Sequence, residues 1–257
     1  SAAVEGLTRR CDRVLCVSAG ARSGLIDLGV PADRIALLPP SVSTSSPSSA
    51  ADPAAIRAQL ATTIGQQLVV GCGEAGWRKG ADLFVDVARR STADATWAWV
   101  GRRPRSFGRV LDHDVEAAGL TGRIRWVGEV ADARPFLAAA DLVVMPSRED
   151  PQPLVPLEAA VASTATVGFA VGGLALLAAD SGMAVAPYPD TVELARLVDE
   201  LLAHPERRDE LAGMASTIVR ERHDVDVLAQ RFSAELRTVR RLGAPSDHDG
   251  DTGPTAP

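Results

Sequence analysis

From residue 67 onward, short runs that are apolar throughout recur between longer stretches in which apolar residues return every three or four positions. Runs without polar alternation mark strands buried on both faces, and the intervening stretches have the period of amphipathic helices. The pattern predicts strands at 68–71, 96–101, 123–127, 141–146, 165–169 and 183–186. It predicts helices at about 80–90, 106–119, 132–139, 154–162, 173–179, 191–203, 206–221 and 225–240. Strands that alternate with helices in this way form an α/β fold, here a Rossmann-like, doubly wound parallel sheet of about six strands with helices on both faces.

Ahead of this block, residues 11–38 read strand, helix, strand, with Ser18 placed to cap the helix and Gly29 to end it. Residues 41–66 begin with the run SVSTSSPSSAADP and end in a first helix; the Ser- and Pro-rich part reads as a flexible linker. Residues 243–257 lack apolar periodicity and are expected to be disordered. The last helix carries Val227, Leu228, Phe232 and Leu236 as an apolar stripe expected to stay partly exposed.

Candidate chemistry concentrates in 142–162, LVVMPSREDPQPLVPLEAAVA. A buried strand meets a polar turn, and Pro151, Pro153 and Pro156 delay the following helix to about Leu154. The free amide groups at the start of that helix, at Leu154 and Val155 just after Pro153, then face the carboxyl edge of the sheet, where α/β proteins bind phosphate. Asp150 lies in the turn and Glu158 on the helix, and helical side chains lean back toward that edge. The pair suits a ligand with hydroxyls at both ends and a diphosphate between them. On spacing alone, the two acids read equally well as an ordinary turn residue and a helix-surface residue.

Lys79 is the only lysine among 27 basic residues. In so arginine-rich a chain, a compact, freely pivoting ammonium is a candidate phosphate ligand. Gly71-Cys72-Gly73-Glu74-Ala75-Gly76 spells a dinucleotide-binding fingerprint. Its third glycine, however, precedes the expected helix start, and Arg102 and Arg103 stand where NAD binding wants an acid. Those arginines leave only an NADP reading open. The glycines otherwise read as a loop that brings backbone close to a ligand, with Arg78 and Lys79 carrying charge toward it.

The segment PSREDPQPLVPLEA resembles the E-x7-E signature of the GT-B retaining glycosyltransferases of family 4 (glycosyl transferases group 1), with Asp150 in the place of the first glutamate. The resemblance extends through WRKG (77–80), WVGRR (99–103), IRWVGEV (124–130), AADLVVMPS and VGG (171–173), covering about 13–240. It implies a GT-B fold, with 1–40 the end of an N-terminal acceptor domain and 67–242 the nucleotide-sugar-binding C-terminal domain. By resemblance, Asp150 contacts the donor sugar, beside Glu149, and Glu158 holds the ribose. Lys79 meets the diphosphate, and Glu129 and Val130 lie where the nucleobase is held through backbone. Asp150 and Lys79 are the implied catalytic residues. The family's usual diphosphate arginine falls near Gly73, so Arg78, Arg102 or Arg103 would have to substitute. Ser163-Thr164-Ala165 replaces the family's G-x-P, and GGLALL lacks its acid.

The implied activity is sugar transfer with retention from a nucleoside diphosphate sugar to an unknown acceptor, without a metal or other cofactor. It requires an N-terminal domain in cis or as a separate chain, and any peripheral membrane association would run through that domain. Two other readings remain: a noncatalytic nucleotide-sugar-binding module or inactive fragment, and a sugar-nucleotide epimerase of the same architecture. A net charge of −6 argues against nonspecific nucleic-acid binding. No run of eighteen apolar residues and no signal peptide is present, and Cys11, Cys16 and Cys72 lack metal-ligand spacing, so a reduced, cytoplasmic protein is expected. The scattered His113, His204, His223 and His248 suggest no metal site either.

Overall fold

The computed structural model describes residue 6 and residues 11–45, 52–181 and 183–242, with backbone alone at 180, 181 and 240–242. Two parallel strands, β1 (Val14–Cys16) and β2 (Ile35–Leu37), flank α1 (Ala19–Asp27). The Ser18 hydroxyl accepts from the Ala21 amide at 3.1 Å, and Gly29 takes the left-handed conformation just past the helix, as expected. This unit is thin: no residue of α1 is buried, and Leu15, Val17 and Leu37 remain exposed.

The main sheet contains β3 (Gln67–Cys72), β4 (Ala95–Val100), β5 (Ile124–Gly128), β6 (Leu142–Met145), β7 (Thr166–Phe169) and β8 (Ala184–Ala186). Every neighbouring pair is parallel, in the order β5-β4-β3-β6-β7-β8. Chain direction across the sheet therefore reverses between β3 and β6. A crevice at the carboxyl edge of such a switch point is where open α/β sheets take ligands.

Successive residues of β3 face opposite cores, as strand geometry requires. Val69 joins Phe84, Trp97, Trp99 and Leu194 beneath α3 (Ala81–Arg90), α4 (Arg105–Ala117) and α8 (Thr191–Ala203). Leu68 and Val70 join Leu137, Leu157 and Leu174 on the other face, beneath α2 (Pro53–Gln59), α5 (Arg134–Ala139), α6 (Val155–Val161), α7 (Gly172–Ser181) and α9 (Pro205–Arg222). Phe84 meets both Trp97 and Trp99 edge-on, with ring centres 5.2 and 5.1 Å apart. The six strands and their helices thus follow the expected order, with ends shifted by one or two residues.

The last helix, α10 (Val225–Leu242), returns to the first unit, where Glu235 accepts from Arg13 at 2.8 Å. Val42 forms a bridge with Asp224, and His223 Nδ1 lies 3.0 Å from the Pro40 carbonyl. The apolar stripe on α10 is partly exposed, as expected. Phe232 and Leu236 are exposed, Val227 is half-buried and Leu228 is buried, at the end of the helix where the Val225 amide bonds the Val42 carbonyl. Residues 243–257, expected to be disordered, lie outside the described residues. Among the described residues no helix is long and apolar enough to cross a membrane.

Candidate functional site

Three loops meet at the carboxyl edge of β3, β6 and β7, and their contacts are mostly backbone. The Arg148 amide donates to the Arg78 carbonyl at 2.9 Å, and the Arg78 guanidinium returns a bond to the Glu149 carbonyl at 3.1 Å. The Gly173 amide donates to the Asp150 carbonyl at 2.8 Å. Two glycines make this closeness possible. A β-carbon on Gly80 would stand 1.9 Å from the Pro146 carbonyl oxygen, and one on Gly172 would stand 2.1 Å from that of Asp150. Both have positive φ, 70° and 51°, which other residues adopt only at a cost.

Arg148 fastens the loops together. Its guanidinium bonds both carboxylate oxygens of Asp82, at 2.8 and 2.6 Å, and the Trp77 carbonyl at 2.7 Å. It also lies over the Trp77 ring, 5.0 Å from its centre. Bidentate pairing of this kind fixes orientation as well as position.

At the centre, Lys79 Nζ lies 2.5 Å from Asp150 Oδ2, and the two side chains are only 15% and 7% exposed. The lysine stem passes over Gly73, within 3.4 Å of where a β-carbon would be. Glu149 is exposed, so Asp150 is the member of the adjacent pair turned inward. Glu158 lies on the flank of α6, near the Arg134–Asp132 pair. Burial pushes its carboxyl above the usual glutamate value and Asp132 adds to this, while Arg134 opposes it. Glu158, Arg134, Leu154 and linker residues Ser43 and Thr44 line a groove of about 570 Å³, which does not reach Lys79 or Asp150. Burial, with Glu158 nearby, pushes the Cys72 thiol up to about 11, so it stays protonated.

The other expected ligands separate into groups. Pro153 is buried, Val155 half-buried and Leu154 exposed at the start of α6, a helix of seven residues. Its Leu154 cap makes no side-chain bond. Glu129 is exposed and Val130 packs against the core. Arg102 pairs with Glu74, and Arg103 pairs with Asp112 at 2.5 Å while lying over Trp126. Both arginines are thus paired with acids of their own, whereas Arg78 bonds the Glu149 carbonyl, in the loop that carries Asp150. Gly71 is a packing residue, because a β-carbon there would meet Trp99 at 2.5 Å. Among the described residues, no group of three or more His, Cys, Asp or Glu side chains is placed to hold a metal.

Sequence reasoning passed over Arg148, Asp82 and the closeness imposed by Gly80 and Gly172. A bond between residues 66 apart leaves no local pattern, although the invasive glycine in WRKG was a usable signal.

A doubly wound parallel sheet of this order, with helices on both faces, is the architecture of one domain of a GT-B fold. Solved structures agree: the chain superposes on Anabaena Alr3699/HepE in complex with UDP with a TM-score of 0.83, at 23% identity, covering 92% of this chain and 66% of that one. Residues 66–204 match the family described as Glycosyl transferases group 1, and the chain belongs to that family. It is 35% identical to the lipopolysaccharide core biosynthesis mannosyltransferase LpcC of Rhizobium leguminosarum bv. viciae, over 56% of this chain and 44% of the relative. It is 29% identical to the 2-deoxystreptamine N-acetyl-D-glucosaminyltransferase of Streptomyces fradiae, over 82% of this chain and 52% of the relative. The chain thus spans about half the length of these relatives.

Proposed function

We propose that this chain is the donor half of a retaining glycosyltransferase that takes a sugar from a nucleoside diphosphate sugar. The observation that carries the reading is the Lys79–Asp150 pair at the carboxyl edge of the switch point, with Glu158 one helix flank away. Lys79 meets the diphosphate, Asp150 a sugar hydroxyl and Glu158 the ribose diol. Names of relatives in the same family, a mannosyltransferase and an N-acetylglucosaminyltransferase, support the same class of chemistry.

In the reaction the bond from the anomeric carbon to the diphosphate oxygen breaks, and a bond to the acceptor oxygen forms on the same face. The acceptor proton passes to the departing diphosphate. Lys79 stabilises the negative charge growing there, the kind of preorganised electrostatic contribution that dominates many catalysed steps. The positive charge comes from the protein, so the reading is metal-independent. The acceptor is held by an N-terminal domain, in cis or on a separate chain.

Calorimetric titration with UDP, GDP, ADP and their sugar conjugates tests this on the wild type, Lys79→Ala and Glu158→Ala. Saturable binding of one nucleotide, weakened at least about tenfold in both variants, is expected, a loss of roughly 1.4 kcal/mol each. Full-strength binding in both variants would sink the assignment.

A further inference from the structure

The contacts of Arg148 bracket Lys79. Its guanidinium donates to the Trp77 carbonyl at 2.7 Å, and its amide donates to the Arg78 carbonyl at 2.9 Å. Both carboxylate oxygens of Asp82, in the first turn of α3, complete the grip at 2.8 and 2.6 Å. The partners thus lie on either side of Lys79, from two residues before it to three after. Arg148 is itself two residues from Asp150, and two residues span at most about 7 Å. One side chain therefore sets how the loop of the ammonium meets the loop of the carboxylate.

Stability alone does not account for this arrangement. The Arg148 and Asp82 side chains are only 12% and 26% exposed, so both ions give up much of their water. An ion pair placed in this way often does no more for folding than apolar side chains of similar volume. What it supplies is direction. Two parallel bonds to one carboxylate define a plane, and the bond to the Trp77 carbonyl fixes the guanidinium within it. The Trp77 ring, its centre 5.0 Å from the guanidinium, closes off one face. All of this fixing falls on the loop that carries Lys79, whose long stem is otherwise free to pivot.

We propose that Arg148 is a positioning residue for donor binding. It holds the backbone on both sides of Lys79 at a fixed separation from Asp150, and so places the ammonium where the diphosphate arrives. Arg148 does not meet the ligand itself, because Asp82 already balances its charge. This rests on the donor reading of Lys79. Direct contact between Arg148 and a phosphate would give the opposite sign at Asp82: removing that acid would free the guanidinium and strengthen binding, whereas a positioning role requires that binding weaken.

The test compares the full chain as wild type, Arg148→Gln and Asp82→Asn, each shown folded by thermal melting. UDP affinity is read by calorimetry. Growth on 13C-lysine labels Lys79 alone, so NMR reads the two Hε protons of this one side chain. They have distinct shifts in a fixed stem and merge in a free one. UDP is expected to bind about tenfold more weakly to both variants, and the Hε pair resolved in the wild type is expected to merge in both. Tighter binding to Asp82→Asn, or wild-type affinity in either variant, overturns the positioning role. So does an Hε pair that is merged in the wild type or stays resolved in both variants. If the folded wild type binds no UDP, the donor reading falls, and the Hε pair alone decides whether Arg148 holds Lys79.

Discussion

Lys79 and Asp150, 71 residues apart in sequence, share a 2.5 Å ion pair across the carboxyl ends of two adjacent strands. The cation assigned to the diphosphate is therefore neutralised in the free chain by the acid assigned to the sugar. Ligand binding has to exchange one anion for another around the same ammonium. A lysine can make that exchange because its charge pivots on a flexible stem; the planar fork of arginine would hold the carboxylate in two bonds. The pair gives a physical reason for the one lysine in a chain of arginines.

Asp150→Asn should free the ammonium. UDP without a sugar is expected to bind about tenfold more tightly to this variant than to the wild type, because the competing carboxylate is gone. Calorimetry reads this directly, and an unchanged Kd would mean that Lys79 does not serve the diphosphate.

The same pair should show strong coupling in stability. Lys79→Met leaves Asp150 buried and uncompensated, at a cost of about 3 kcal/mol. The double variant Lys79→Met with Asp150→Leu should cost less than the sum of the two single changes, by at least ~1 kcal/mol. Urea unfolding of the four proteins measures the coupling, and simple additivity would contradict the buried pair.

Glu158 links stability and binding to pH with opposite signs. Its carboxyl is raised above the ordinary 4.5, so the folded chain holds the proton more tightly than the unfolded chain. Stability from this group is present below 4.5 and is lost as pH rises through the folded value. The loss should be under about 1 kcal/mol, because the side chain is part-exposed, and it should vanish in Glu158→Gln. Nucleotide affinity should rise across the same interval, since the ionised carboxylate is the better acceptor for a ribose diol. Parallel unfolding and titration at several pH values test both signs.

Gly172→Ala should displace the backbone that carries Asp150. Its β-carbon would press on the Asp150 carbonyl from a left-handed backbone position, at a cost of roughly 2–4 kcal/mol. Gly24→Ala is the control: it lies in α1 with nothing within 4 Å, so alanine there should be neutral or stabilising by ~0.5–1 kcal/mol. Thermal melting that ranked the two variants in the reverse order would be incompatible with the loop contacts.

What the sequence determined by itself was the class of fold and the location of the crevice. The short apolar runs within 68–71 and 142–145 read as strands buried on both faces, and Pro151, Pro153 and Pro156 confine the next helix to start beyond the turn. The single lysine and the acids at 150 and 158 could be read in the same way, because their types and spacing are local. The tertiary structure alone decided who partners whom. It turned Asp150 inward and Glu149 outward, drew Arg102 and Arg103 to other acids, and joined Arg148 to Asp82 and Trp77. Within the stripe expected to be partly exposed, it chose which residues face in: Leu228 is buried, Phe232 and Leu236 are not. These are contacts between residues distant in sequence, chosen by packing and charge after the strands have paired, and no local period records them.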